Sequence, residues 1–443
     1  MESLIEEILQ NVSEPKIPEK EYNLLDFGAV GDGKTDCTEA FAKAIEEISK
    51  VGGGRLVVPK GVYLTGPIHL KSFVELRLQD ATIKFHTDPK RYLPVVLTRF
   101  EGIELYNYSP LIYANSCQNV AITGNGVLDG QASEENWWFW KGKKSFGWRE
   151  GLPDQTQDVL LLKKMAASGV PVEQRIFGEG HYLRPSFVQF YRCRNVLIEG
   201  VRIVRSPMWC VHPVLCENVV IRNVEISSKG PNNDGIDPES CRYVLIENCK
   251  FDTGDDSVVI KSGRDEDGRR VGIPSEYILI RNNLVLSEKS HGGVVIGSEM
   301  SGGVRNVVAY NNVFVNLERV LRIKSNSRRG GYIENVFFFD NIALNVSDEF
   351  IVIDLRYDNE EGEFPPIVKN VHVRNLRGVG GKYGVRIEGL PNAWVSGVVV
   401  ENTTIEGVEV PIRSKFAEIT FRHTRINGID FSLASFHGNV EIL

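Results

Sequence analysis

Two adjacent aspartates, Asp255 and Asp256, stand directly before the apolar run 257–260. Neighbouring carboxylates at a buried strand repel each other and lose hydration, so the pair taken alone is typical of a solvated turn. A third aspartate, Asp234, falls at a similar phase of a sequence repeat. If the three carboxyl groups lie close together, ionising all of them is unfavourable because their charges repel. One carboxyl then has a raised pKa and keeps a proton near neutral pH. A protonated carboxyl beside ionised ones is what hydrolysis of a glycosidic bond requires.

Basic side chains follow at nearly the same phase of the next two repeats. His291 lies 14 residues after the start of its repeat, and Arg322 lies 16 residues after the start of the next, with Lys324 close behind. A lone histidine is often structural, and Arg-x-Lys is often a solvated strand face. Polar residues at one phase of four consecutive repeats instead indicate one functional site. We call this set the polar column; its members are Asp234, Asp255, Asp256, His291, Arg322 and Lys324. Because arginine can hold a carboxylate with two hydrogen bonds, Arg322 and Lys324 indicate an anionic sugar.

The elements that must position this column are short strands of a recurring pattern, N/Y-V-x-I-x-N-x-x-I. The pattern begins at Asn119, Asn195, Asn218, Tyr243, Tyr277, Asn306, Asn335 and Asn370, and is fainter from Gly397 and Glu418. One such strand cannot bury its apolar face alone, but stacked parallel units can, which predicts an all-β, right-handed parallel β-helix. A leucine-rich or other solenoid is the alternative, although its helical segments are missing. The asparagines predict side-chain ladders at the turns.

Two segments interrupt the repeat within what we predict to be a single domain, 1–443. Residues 35–50 read as a helix that closes the open end of the solenoid, with Asp36 and Glu39 spaced as a capping box. The apolar face of this helix is Phe41, Ala44, Ile45 and Ile48. The second segment, 131–182, is an insertion rather than a separate domain, because the repeat resumes directly after it. The insertion is rich in tryptophan: Trp137, Trp138, Trp140 and Trp148.

The composition is that of a soluble globular protein, with 443 residues, 42% of them hydrophobic and 25% charged. A net charge of −7 and the lack of a basic cluster argue against a nucleic-acid partner. Seven cysteines, an odd number without C-x-x-C, predict reduced thiols. The start, MESLIEEILQ, predicts an acidic amphipathic helix with Leu4, Ile5, Ile8 and Leu9 on one face, not a secretory signal. These features predict a cytoplasmic protein without a membrane partner, and leave association of identical subunits open.

The polar motifs resemble those of glycoside hydrolase family 28, the polygalacturonases, and most of all its bacterial exopolygalacturonases. The resemblance covers most of the chain, from 24–36 and 52–72 through the last motif. The family's Asn-Thr-Asp, Asp-Asp, Gly-His-Gly and Arg-Ile-Lys motifs read here as Asn232–Asn233–Asp234, Asp255–Asp256, Ser290–His291–Gly292 and Arg322–Ile323–Lys324. Asn233 and Ser290 depart from the family pattern, which affects only the fine positioning of substrate. Tyr357 matches a tyrosine that the family places after a later strand.

By this resemblance, Asp255 is the general acid, while Asp234 and Asp256 hold the attacking water. The outcome is inversion, for which the carboxyl groups are expected about 6.5–9.5 Å apart. His291 tunes the proton of Asp255. The residues that bind galacturonate are Asn232, Arg322, Lys324 and Tyr357. No metal or other cofactor is required.

The insertion 131–182 precedes the repeats that carry the aspartates, so its tryptophans could close one end of the groove. This predicts exo-acting hydrolysis of α-1,4-galacturonosyl linkages, with galacturonate released from the non-reducing end of a galacturonan chain. Three alternatives remain open. The site could belong to a pectate lyase whose aspartates hold Ca²⁺, to a rhamnogalacturonan hydrolase, or to a β-helix that binds polysaccharide without catalysis.

Overall fold

The computed structural model describes all 443 residues and consists mainly of three long sheets wound around one core. The first sheet contains Glu21–Asn23, Gly54–Val58, Val74–Leu78, Gln118–Gly124, Arg194–Glu199, Glu217–Arg222, Arg242–Glu247, Ser275–Arg281, Val304–Tyr310, Tyr332–Phe339, Ile367–Arg374, Val395–Glu401, Ala417–Arg422 and Leu433–His437. The second sheet contains Asp32–Asp36, Gly61–Thr65, Ala81–Phe85, Val127–Asp129, Arg202–Val204, Glu225–Ser228, Lys250–Thr253, Leu284–Leu286, Val313–Val315, Ile342–Val346, Arg377–Gly380, Thr404–Glu406, Arg425–Ile426 and Ile429–Asp430.

The third sheet is the one that carries the polar column. It contains Ile68–His69, Ile112–Asn115, Val188–Tyr191, Val258–Ile260, Val294–Gly297, Arg319–Lys324, Glu349–Asp354, Tyr383–Glu388, Val410–Lys415 and Val440–Ile442. Single bridges at Val211 and Ile236 join its first three strands to the rest. A separate antiparallel hairpin pairs Val96–Phe100 with Ile103–Asn107. The prediction of a right-handed parallel β-helix is confirmed.

Helices are few and short. The α-helices are α1 (Glu2–Asn11), α2 (Thr38–Lys50), α3 (Thr156–Ala167) and α4 (Asp265–Val271). The 3-10 helices are Leu24–Phe27, Pro89–Tyr92, Trp137–Lys141, Lys144–Phe146, Val172–Gln174 and Tyr357–Asn359. No helix combines the length and the apolar character needed to cross a membrane.

The repeat produces the stack because equivalent residues of successive coils pair in register. Val196 pairs with Val219, and Val219 pairs with Val244, so aliphatic side chains form columns inside the coil. The predicted asparagine ladders are present: Asn195 and Asn218 have left-handed backbones with φ of 57°, and Asn218 Nδ2 donates to Asn195 Oδ1 at 2.9 Å. These side-chain bonds hold the turns of neighbouring coils together.

Helix α2 covers the first coil with the predicted apolar face, but the predicted capping box is wrong. The helix begins at Thr38 after Cys37, which makes no capping bond. Asp36 remains the last residue of a strand, and its carboxylate accepts from the backbone N of Thr38 at 3.1 Å. At the opposite end of the stack, the final strands run antiparallel to their neighbours and close the coil.

Helix α1 lies on the outer face of the first sheet. Ile8 is fully buried there against outward-facing side chains of successive strands, among them Leu197 and Val220. Leu9, expected on the same apolar face, is 36% exposed, because the helix contacts the sheet along a narrower stripe than the sequence suggested.

Candidate active site

A cleft of about 570 Å³ lies beside the third sheet, and only two of its 21 lining residues are hydrophobic. A lining this polar suits a hydrophilic ligand rather than an apolar one. All of the site residues predicted from sequence line this cleft: Asn232, Asp234, Asp255, Asp256, His291, Arg322, Lys324 and Tyr357. The remaining lining residues include groups that the sequence did not single out.

Backbone register brings these residues together. The backbone N of Gly235 donates to the carbonyl of Asp256 at 3.0 Å, which places Asp234 one coil from the Asp255–Asp256 pair. Two further coils bring Arg322 opposite Val295 and Lys324 opposite Gly297. The side chains therefore share one face because the repeat places them at nearly equal phase, as expected.

The carboxylates of Asp234, Asp255 and Asp256 form a compact cluster, with one oxygen of each within 4.8 Å of the others. The expected separation of about 6.5–9.5 Å is therefore wrong for these oxygens. The reason is geometric: neighbouring strands of a sheet lie about 4.7–4.9 Å apart, so in-register carboxyls on adjacent coils stay close. Two oxygens at this distance can both accept a hydrogen bond from one water molecule lying between them.

Asp255 faces His291 on the next coil, with Asp255 Oδ1 3.1 Å from His291 Nδ1. Burial alone raises the pKa of the Asp255 carboxyl, but the hydrogen bond and charge of His291, together with the charge of Lys324, outweigh it and hold the pKa below its usual value. The same hydrogen bond raises the pKa of His291. In the free protein, the pair thus holds its proton on the imidazole rather than on the carboxyl.

Asp256 faces the two cations of the Arg-Ile-Lys motif. Lys324 Nζ donates to Asp256 Oδ2 at 2.9 Å, and Arg322 Nη1 lies 3.5 Å from Asp256 Oδ1. Both cations also lie over the ring of Tyr357, at 5.0 Å for Lys324 and 5.5 Å for Arg322. Cation–π contact with this ring fixes the two side chains at the cleft wall.

Asp234 has a buried carboxylate neighbour, Asp237, that sequence reasoning missed. Asp237 is fully buried, and neither of its oxygens has a hydrogen-bond donor. Burial first, and the charge of Asp237 second, raise the pKa of Asp234 well above its usual value. The expected protonated carboxyl thus resides in this pair. Its signal in the sequence was the second aspartate of NNDGID.

The two departures from the family motifs point into the protein. Asn233 is fully buried, and its Oδ1 accepts from the backbone N of Gly230 at 2.9 Å. Ser290 is also fully buried, and its hydroxyl lies 3.0 Å from that of Ser257. Asn232 faces the cleft while its Oδ1 accepts from Arg184 Nη2 at 2.8 Å. These residues therefore fix the loops that carry the carboxylates.

A second charged cluster in the cleft was not predicted. Lys261 Nζ contacts Glu299 Oε2 at 2.5 Å and lies 4.6 Å from the centre of the Trp209 ring. Arg264 Nη1 lies 3.7 Å from Glu101 and 3.8 Å from Glu299. Lys261, Arg264 and Glu299 follow strands of the third sheet, whereas Glu101 lies at the turn of the hairpin 96–107. No repeat pattern marks these residues in the sequence.

The tryptophans of the insertion do not form the expected wall. Trp137 and Trp140 are buried in the main core, 5.1 Å apart between ring centres. Trp138 Nε1 donates to the carbonyl of Ser206 at 2.8 Å, so this side chain attaches the insertion to the coil. The insertion reaches the cleft through lysines instead: Lys141, Lys143 and Lys163.

The three aspartates are the residues that could hold a metal ion. Their oxygens lie close enough for a hard cation such as Ca²⁺, which takes oxygen ligands at about 2.3–2.6 Å. Two of the three, however, already face cationic groups: His291 at Asp255 and Lys324 at Asp256. A divalent ion would therefore stand beside fixed positive charge, which opposes its binding.

Known proteins share this fold and this sequence. The family model described as "Glycosyl hydrolases family 28" matches residues 178–382, and the model "Rhamnogalacturonase A/epimerase, pectate lyase-like" matches residues 22–77. The chain is 30% identical over 424 residues to a probable polygalacturonase of Vitis vinifera, covering 92% of this chain and 77% of that protein.

Two bacterial proteins give further comparisons. The exo-poly-alpha-D-galacturonosidase of Dickeya chrysanthemi is 26% identical, with 93% of this chain and 71% of that protein covered. The crystal structure of a hyperthermoactive exopolygalacturonase from Thermotoga maritima is 67% identical, with a TM-score of 0.99 and coverage of 100% of this chain and 99% of that one. On these matches and the motifs of the cleft, the chain belongs to glycoside hydrolase family 28.

Proposed function

We propose that the protein hydrolyses α-1,4-galacturonosyl linkages of polygalacturonate and its oligomers from the non-reducing end, releasing galacturonate. The observation that carries this proposal is the cluster of Asp234, Asp255 and Asp256 beside the cationic pair Arg322 and Lys324. The carboxylates supply acid and base, and the cations suit the carboxylate of a uronic acid. The 67% identity to an exopolygalacturonase supports the same substrate and the same mode.

Asp255 acts as the general acid. The proton that it donates is held by the pair that Asp255 forms with His291. The pair shares one proton, which resides on the imidazole in the free protein because nearby cations favour the ionised carboxyl. A substrate carboxylate bound at Arg322 and Lys324 offsets the charge of these cations. The pKa of Asp255 then rises, and the proton can pass through its carboxyl to the leaving oxygen.

Asp234 and Asp256 hold the attacking water between them. Their nearest oxygens lie within 4.8 Å, which one bridging water spans with two ordinary hydrogen bonds. The water then attacks from the side opposite the leaving group, and the anomeric configuration inverts. Proton NMR of the first product formed from trigalacturonate shows its anomeric configuration directly. A retained configuration would contradict the role of the water.

The product profile on polygalacturonate tests the proposed function. We expect galacturonate alone at early times, with a slow fall in viscosity and no ultraviolet absorbance from an unsaturated product. Asp255→Asn should still bind substrate while turnover falls roughly 10²–10⁴-fold. Longer oligomers with rapid loss of viscosity would contradict the exo mode, and an unsaturated product would indicate elimination.

We also propose that the protein works in the cytoplasm on short galacturonides. All seven cysteines are unpaired, and six are buried, which suits a reducing compartment. Fractionation of the source cells, followed by the galacturonide assay on each fraction, tests this location. Activity found mainly outside the cytoplasmic fraction would contradict it.

A further inference from the structure

Four of the seven cysteines stack on successive coils, at the turn that leads from the third sheet into the first. Each stands directly before a strand of the first sheet, and these strands pair in register: Gln118 pairs with Arg194, and Arg194 with Glu217. The set is separate from the cleft, since none of its members lines it. We call it the cysteine column; its members are Cys117, Cys193, Cys216 and Cys241.

The four thiols adopt one repeated geometry. The thiol of Cys193 donates to the carbonyl oxygen of Ala114, on the preceding coil, at 3.5 Å. The thiol of Cys216 donates to the equivalent carbonyl oxygen, that of Phe190, at 3.1 Å. The other two members also donate to the preceding coil. Because equivalent atoms of successive coils repeat at the spacing of the strands, the sulfurs stand in a line about 4.7–4.9 Å apart.

This spacing explains why no disulfide joins the column. All seven cysteines are free. A disulfide needs the two Cβ atoms at about 3.5–4.5 Å, whereas the sheet holds equivalent atoms of adjacent strands slightly further apart. Oxidation would therefore require two coils to move together, and the stacked sheets oppose that movement. The sulfurs of the column thus remain available as ligands.

The same spacing suits a soft cation bound between two sulfurs. A zinc–thiolate bond is about 2.3 Å long, and at a similar length two collinear bonds to a soft ion span about 4.6 Å. Thiolate ligands favour Cu(I), and Cu(I) accepts two of them in a line. Structural Zn²⁺ needs four ligands in a tetrahedron, which sulfurs in a single line do not provide. The column therefore favours Cu(I) over Zn²⁺.

Cys117 and Cys193 are the pair that a cation can reach. The side chain of Cys117 is only partly buried, whereas the other three members of the column are buried. Hydrogen bonds from the thiols of Cys117 and Cys216 outweigh burial and lower the pKa of Cys193, which favours its thiolate. A partly exposed sulfur beside a thiol that ionises readily provides both an entry and an anionic ligand.

We propose that Cys117 and Cys193 bind one Cu(I) ion between neighbouring coils. The ion forms one bond to each sulfur and displaces the two thiol protons to solvent. Because a thiol is a weak hydrogen-bond donor, the contacts with backbone carbonyls that are lost on binding cost little. The site lies outside the cleft, so this inference is independent of the hydrolysis proposed above.

Titration of the full chain with Cu(I) under argon tests this site. Native mass spectrometry counts the bound ions, and competition with bathocuproine disulfonate gives the affinity. We expect one tightly bound ion in wild type. Cys117→Ser and Cys193→Ser should each weaken binding more than roughly 100-fold, because loss of an outer-shell partner alone costs roughly 10–100-fold. The matched controls Cys37→Ser and Cys249→Ser remove buried thiols outside the column and should bind as wild type.

Alkylation of the wild type with iodoacetamide gives a test that needs no variant. Peptide mass mapping should show that Cys117 is alkylated in the folded protein and is protected once Cu(I) is bound. Alkylation of Cys117 that Cu(I) leaves unchanged would overturn the inference. So would an affinity for Cu(I) that Cys117→Ser retains, or one that the two controls lose equally.

Discussion

Asp255 and His291 face each other across adjacent coils, with 3.1 Å between Oδ1 and Nδ1. Each shifts the other toward its charged form: the pKa of the carboxyl is lowered and that of the imidazole is raised. This arrangement keeps a proton beside the leaving oxygen at pH values where an isolated aspartic acid would have lost it. The acid of the reaction is thus better described as a pair than as one carboxyl.

Replacing His291 should therefore move the alkaline limb of the pH–rate profile. In wild type, the pair loses its proton only above the raised pKa of His291. In His291→Gln, the proton must reside on Asp255 alone, so the alkaline limb of kcat/KM moves to lower pH and the rate near pH 7 falls roughly 10²–10⁴-fold. An unchanged limb would show that His291 does not supply the proton.

Arg322→Gln should weaken the binding of acidic substrates more than that of esters. Arg322 lies 3.5 Å from Asp256, while Lys324 Nζ lies 2.9 Å from the same carboxylate and can still neutralise it. We expect KM on trigalacturonate to rise roughly 10- to 100-fold, as for a lost charged hydrogen bond. On a fully methyl-esterified oligomer the change should be smaller. Equal losses on both substrates would indicate a structural role.

Chelation should leave the activity intact. The carboxylates that could hold a cation already face Lys324 and His291, so catalysis through a bound Ca²⁺ is not expected. Dialysis against EDTA, followed by the galacturonide assay with and without added Ca²⁺, measures this. Complete loss of activity that Ca²⁺ restores would favour the lyase mechanism.

Asn312 provides a stability test of the buried asparagine ladder. Its Nδ2 donates to Asn341 Oδ1 at 3.1 Å, and its Oδ1 accepts from the backbone N of Asn283 at 3.0 Å. Asn312→Ala leaves the buried backbone N of Asn283 without an acceptor, at a cost of about 1–3 kcal/mol, while Asn341 Oδ1 still accepts from the backbone N of residue 312. We expect a lower midpoint of urea unfolding with the activity per folded molecule retained. An unchanged midpoint would show that the ladder adds no stability.

The repeat made the stack and the cleft predictable because a fixed phase along the chain becomes a fixed face of the coil. Asp234, Asp255 and Arg322 lie together for this reason. Features outside the repeat were not predictable in the same way. The lysines of the insertion have no periodic signal, so only tertiary packing reveals that Lys141 and Lys163 reach the cleft.

Two errors have the same origin in tertiary structure. The capping box failed because Asp36 belongs to a strand and binds neighbours there. The carboxyl separation failed because it was taken from a general rule for glycosidases, whereas in this fold the distance between coils fixes it. In both cases the arrangement of strands in the stack, and not the sequence pattern or the general rule, determines where the side chains lie.

The Asp234–Asp237 pair gives the last prediction, which concerns the acid limb of the pH–rate profile. Asp234 must be ionised to accept a proton from water, and burial together with the charge of Asp237 raises its pKa. Asp237→Asn keeps the shape of the side chain but removes that charge. The pKa of Asp234 should then fall, and the acid limb of kcat/KM should move to lower pH.

The matched control is Asp252→Asn, which removes a charge from a carboxylate that pairs with Lys229 and does not line the cleft. The measurement is kcat/KM on trigalacturonate against pH for wild type and both variants, with circular dichroism to establish that each is folded. A purely structural role for Asp237 would lower the amount of folded enzyme but leave its pH profile in place. An acid limb that coincides in folded wild type and Asp237→Asn would therefore show that Asp237 does not set the proton affinity of Asp234.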